Sequence, residues 1–168
     1  MRISYDNRTD PILQTNTLSE KSIMNLEKIA LSIFLLIGTI TMLVGFTYST
    51  SGEIMSYHAE AIQTQWSELE PNYKGLLLGM VKGMGAGSFT AGFVTIIMSI
   101  HGLLGQLRPY RFLLPATVFS YYSLSYLTVY YIQENTAGQP PLSGVIIILA
   151  LATIAAILLF VGGRQAQD

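Results

Sequence analysis

The chain has 168 residues, 51% of them hydrophobic and only 11% charged, with a formal net charge of −1 and no cysteine. A soluble domain carries about a quarter charged residues, so this balance points to a lipid environment. The missing positive charge argues against nucleic acid as a partner, and the missing cysteine excludes disulfides, thiolate metal sites and a cysteine nucleophile.

The first residues, 1–28, form a polar tail of mixed charge, which predicts disorder with at most a short interfacial turn near 22–28. The apolar run that follows is of spanning length, longer than the core of a secretory signal, so an uncleaved anchor is expected. Crossing a bilayer takes about 20 mostly apolar residues in helix. Four stretches meet that requirement: 29–48, 75–104, 112–132 and 144–163, followed by a short tail at 164–168. The links between later spans are short, which makes consecutive spans antiparallel neighbours. With both termini inside, Lys28, Arg108, Arg111 and Arg164 fall on the cytoplasmic side, whereas Glu53, Glu60, Glu68, Glu70 and Glu134 fall outside. The expectation is an all-α fold: a four-helix transmembrane bundle in a cell membrane, with both termini cytoplasmic. If the chain is bacterial, that membrane is the cytoplasmic one.

Between spans one and two, "TSGE" from Thr50 fits a capping box, with Glu53 reaching back to the start of a helix. Met55, Ala59, Ile62, Trp66 and Leu69 then recur at helical spacing, which predicts a short outer amphipathic helix lying in the interface. His58-Ala59-Glu60 matches the H-x-E fragment of zinc deaminases, but that chemistry needs further metal ligands, usually cysteines. Residues two apart on a helix also point about 200° away from one another, so His58 and Glu60 could share a metal or a substrate only after local unwinding. No metal or cofactor is expected. His58 does titrate near neutral pH, so an outer pH response centred on it is one reading.

Span two carries small residues at every fourth position: Gly75, Gly79, Gly83, Gly87, Ala91, Thr95 and Ser99. Such residues let another backbone approach closely inside a bilayer. The partner is either another span of the same chain or, through the same face, a second copy or another membrane protein. Lys82 lies beside this ladder, about 10 Å below Gly75 at helical rise. It either snorkels to the interface or turns inward. For the inward case, Tyr126 and Tyr130 of the third span are the expected neighbours, giving a polar cluster of Lys82, Tyr126 and Tyr130 roofed by Trp66.

The segments "YHAEA" and "WSEL", running into the glycine-rich second span, resemble small bacterial four-span membrane proteins of uncharacterised families. That resemblance implies a four-helix membrane fold and no particular activity. No carboxylate falls inside a span, and no nucleophile lies beside a base. The functional expectation is therefore a non-catalytic membrane protein that binds a lipid-like molecule or a partner helix. The alternatives are a subunit of an oligomeric transporter or channel using Lys82, and a membrane enzyme using His58 and Glu60.

Overall fold

A computed structural model describes residues 11–107 and 109–165. Among them the chain forms five α-helices: α1 (Pro11–Thr50), α2 (Ser56–Ile62), α3 (Pro71–Leu103), α4 (Tyr110–Asn135) and α5 (Leu142–Gln165). Four are long and apolar enough to cross a membrane, over Leu26–Thr50, Pro71–Leu103, Tyr110–Asn135 and Leu142–Gly162. These four helices point to a multi-pass membrane protein.

The polar tail expected at 1–28 is helical from Pro11 onward, while residues 1–10 lie outside the described part. Proline suits the first helical turn, where its missing N–H needs no partner, and no glycine or further proline interrupts the chain before the first span. The helix therefore runs unbroken from the polar segment into the apolar one.

In space α1 is flanked by α3 and α5, and α4 likewise sits between α3 and α5, so the four long helices close a ring in chain order. That is an antiparallel bundle in which α1 and α4 face one another across the diagonal. One end carries α2 and the α4–α5 loop; the other carries the α3–α4 turn. We call these the α2 end and the turn end.

The α3–α4 turn is built by glycine. Gly105 takes φ +88°, and the N–H groups of Gly105 and Gln106 return to the carbonyls of Gly102 (3.1 Å) and His101 (3.0 Å). This Schellman closure satisfies two of the last carbonyls of α3, at a backbone angle that side chains with a Cβ resist. Leu107 then drops into the core, and Tyr110 and Arg111 start α4 by donating to its carbonyl.

The core is unevenly distributed. Ala30, Leu31, Phe34 and Ile37 of α1 pack with Leu114, Val118 and Tyr122 of α4 and with Ala152, Ala155 and Leu159 of α5. All lie toward the turn end or at mid-height. No residue of α4 beyond Tyr122, and none of α5 before Ala152, is buried. Toward the α2 end, the α4–α5 pair therefore stands against the α1–α3 pair with much less buried surface. Alanines on α5 let large side chains from α1 reach the axis at the turn end, which is why that half closes tightly.

Candidate functional site

Helix α3 has two small-residue faces, and they point in opposite directions. The buried one is Val81, Gly85, Ser88, Gly92, Thr95, Ser99 and Gly102, spaced alternately four and three apart. Alternation of four and three averages 3.5 residues, close to the helical repeat, so the positions stay on one side of the helix. Against this face lie Gly38 and Gly45 of α1. A Cβ on Gly45 would sit 2.2 Å from the Phe89 nitrogen, one on Gly92 would sit 2.4 Å from the Met42 nitrogen, and one on Gly85 would sit 2.5 Å from the Ser49 nitrogen. The two backbones are in direct contact there, which only glycine permits.

The every-fourth-residue ladder behaves differently. A step of four residues overshoots one helical turn by about 40°, so six steps carry a ladder about 240° around the helix. Gly75, Gly79, Gly83 and Gly87 accordingly point outward, each with nothing within 4 Å of where a Cβ would be. Ala91 is half-buried, and by Thr95 and Ser99 the same ladder has reached the α1 interface. The intramolecular packing expected of the ladder is thus confined to its last members. Gly85, Gly92 and Gly102, which lie off the ladder, supply the close approach instead.

Lys82 is exposed and lies on the outward face with the glycines. Among the described residues it makes no hydrogen bond or ion pair. Tyr126 is half-buried and Tyr130 is 45% exposed; their rings stack on each other, with centroids 6.0 Å apart and planes 9° from parallel. The structure pairs the two tyrosines but leaves Lys82 out of any polar cluster with them. The same 40° drift explains this, since tyrosines at 122, 126 and 130 turn progressively away from the bundle axis.

The polar contacts inside the bundle come one turn earlier on α4. Tyr122, at 7% exposure, is 2.6 Å from the Thr41 hydroxyl on the diagonal helix, and Thr41 in turn donates to the Ile37 carbonyl at 2.7 Å. Tyr122 is therefore the donor to Thr41. Its neighbour Tyr121 bonds Ser88 on α3 in the same manner, Ser88 donating to the Met84 carbonyl. Two tyrosine crossbars thus tie α4 to α1 and to α3 at mid-height. Sequence reasoning passed over Thr41 and Ser88. The detectable signal was a lone hydroxyl on a spanning helix at the level of a tyrosine on an antiparallel neighbour.

At the α2 end, the connecting segment departs from expectation. Thr50 is the last residue of α1 and donates to the Phe46 carbonyl at 2.8 Å, so it caps nothing that follows. The N-cap of α2 is Met55, which lacks a side-chain acceptor. The helix stops at Gln63, in the left-handed conformation at φ 52°, with the Thr64 N–H returned to the Ala59 carbonyl at 3.2 Å. Trp66 belongs to a separate 3-10 turn, Trp66–Glu68, half-buried, with the Lys74 ammonium 5.8 Å from its ring centre. Trp66 thus interacts with the start of α3 and forms no roof with Lys82.

His58 and Glu60 point apart, as helical geometry requires: Glu60 is exposed and His58 is turned in. The His58 ring lies 4.1 Å from that of Tyr57 and 6.4 Å from that of Tyr48, and its Nδ1 is buried without a hydrogen-bond partner. Burial lowers the pKa of His58. The Tyr57 and Tyr48 hydroxyls bond to one another, and burial followed by that contact raises the pKa of Tyr57. Above α2 lies Gly138 of the α4–α5 loop, whose missing Cβ would fall 2.5 Å from the Tyr57 carbonyl oxygen and 2.8 Å from the Ala61 side chain. An open cleft of about 810 Å³ flanks this loop, lined by Gln133, Thr136, Pro140 and neighbours, with no charged side chain.

At the turn end, Arg111 pairs with Glu27 across α4 and α1, and His101 Nδ1 lies 3.3 Å from the Tyr110 hydroxyl. Taken together, the fold and these contacts define a helical bundle of membrane-spanning length with one glycine face used and one open. No protein family, curated protein or solved structure matches the chain.

Proposed function

We propose that this is a non-catalytic multi-pass membrane protein that holds a partner helix, in the first instance that of a second copy, against the outward glycine face of α3. The observation that carries the reading is the open space at Gly75, Gly79, Gly83 and Gly87. Lipid tails gain nothing from bare backbone, whereas a second helix can approach it closely and recover dispersion and Cα–H contacts. The proposed orientation puts the turn end and both termini in the cytoplasm, from the positive charge at Lys28, Arg108 and Arg111, and puts α2 outside.

The absence of cysteine makes the test clean. A single Ala86→Cys replacement, exposed on the glycine face, should form a disulfide-linked dimer in native membranes, while Leu43→Cys, exposed on α1, should not. Equal crosslinking at both positions, or none at Ala86→Cys, would refute pairing of two copies through this face.

A second reading, an apolar or amphipathic molecule held between the α1–α3 and α4–α5 pairs, is favoured by the scarcity of buried side chains in the α2-end half. Native mass spectrometry that detects one retained lipid, lost on Tyr126→Ala, would support it. The transport and enzyme readings draw less support, because Lys82 has no polar neighbour and Glu60 faces away from His58.

A further inference from the structure

Helix α2 is the one element that touches both helix pairs where the bundle is least packed. On one side, the Tyr57 hydroxyl bonds that of Tyr48 near the end of α1, and His58 lies edge-on to the Tyr48 ring. On the other side, the α4–α5 loop rests on α2 so closely at Gly138 that no side chain fits between them. We propose that α2 is a pH-sensitive latch, joining the α1–α3 pair to the α4–α5 pair while His58 is neutral and letting go when His58 takes up a proton.

The argument rests on the two ring nitrogens. Neutral imidazole needs only one donor partner, and its other nitrogen can stay bare. In the docked position the bare nitrogen is Nδ1, which is buried and unpartnered, so the proton belongs on Nε2. Imidazolium must donate from both nitrogens, and an Nδ1–H at this place meets no acceptor. The groups around it do not compensate. Tyr48 from α1 and Tyr57 from α2 are neutral and occupied with each other, and the loop residues 136–141 carry no charge. Glu53, Glu60 and Glu134 are exposed, and among the described residues none forms an ion pair with His58. The lowered pKa of His58 agrees with this geometry.

The sign follows. In released α2, His58 meets water and titrates near the free value of about 6.5, whereas docking holds it lower. The docked state is therefore fully favoured above that value and loses ground as pH falls below it, until the docked pKa is also passed. One proton is linked to release, so the docking equilibrium weakens by up to about tenfold per pH unit.

The test is amide hydrogen exchange of residues 56–62 in the full chain in nanodiscs between pH 7.5 and 5, after correction for the chemical exchange rate. Wild-type protection should be level at the upper end and fall as pH drops below about 6.5. His58→Gln should give a flat profile. Gly138→Ala, which forces the loop off α2, should lower protection at every pH and remove the slope. Because a flat variant could also be misfolded, the imidazole of wild-type His58 is titrated by NMR in parallel, with a midpoint expected below the free value. A flat wild-type exchange profile, an unchanged slope in His58→Gln, or a midpoint at or above the free value would each overturn the latch.

Discussion

Replacing Gly45 by alanine puts one methyl group where two helices share a surface. Its carbon would lie 2.2 Å from the Phe89 nitrogen and 2.7 Å from the Gly85 carbonyl oxygen, both backbone atoms of α3. No rotamer relieves such a clash; α1 and α3 must separate along their length, which loosens the neighbouring contacts of Gly38, Gly85 and Gly92. Overpacking of this kind costs about 1–3 kcal/mol. The usual gain of about 1 kcal/mol from replacing glycine in a helix applies weakly here, because a spanning segment stays helical even when the bundle comes apart. Gly45→Ala should therefore shift the folding equilibrium by about 5- to 150-fold toward the open bundle. Gly83→Ala is the control, since the same methyl group would meet nothing within 4 Å. The assay is unfolding in mixed micelles of rising SDS content, followed by the fluorescence of Trp66, the sole tryptophan. If Gly45→Ala unfolds at the wild-type SDS fraction, or Gly83→Ala unfolds as early as Gly45→Ala, the reasoning about the two faces of α3 is wrong.

Two further outcomes follow from the polar groups. Tyr122→Phe leaves Thr41 without its partner on α4 and should cost about 0.6–1.7 kcal/mol in the same unfolding assay, the range found for hydrogen bonds between membrane helices. Adding Thr41→Val should cost little more, because the interaction is already gone. Lys82→Met should leave the protein folded and as stable as wild type or more so, since it removes an exposed charge within a span and breaks no contact; a clear drop in its unfolding midpoint would show that Lys82 has a structural partner after all.

The four spans were legible because lipid demands long uninterrupted apolar helices, and that demand is written in composition. Their arrangement as a ring followed from short links. The faces were harder to read. A run of small residues at every fourth position looks like one stripe on paper, yet it winds around the helix, and the residues that make the close contact, Gly85 and Gly92, were hidden among other glycines. Tyr126 and Tyr130 were named for the same reason and Tyr122 was undervalued: a drift of about 40° per step separates an inward tyrosine from an outward one. The outer helix was placed correctly at its start, near His58, but not at its end. The apolar spacing continues to Leu69, whereas Gln63 adopts a left-handed conformation that glycine or asparagine would have announced and glutamine does not. The bare Nδ1 of His58 depends on the α1 end folding back over it, which no local pattern encodes.

The uneven core has a mechanical consequence. A bundle clamped at its turn end and lightly filled at its α2 end behaves like a clothes-peg, with one cross-section fixed and the other adjustable. In a bilayer, the two ends occupy different leaflets. Lateral pressure, acyl-chain length or curvature on the α2 side can therefore do work on this protein by widening or narrowing it, while the same changes in the opposite leaflet meet a rigid wall.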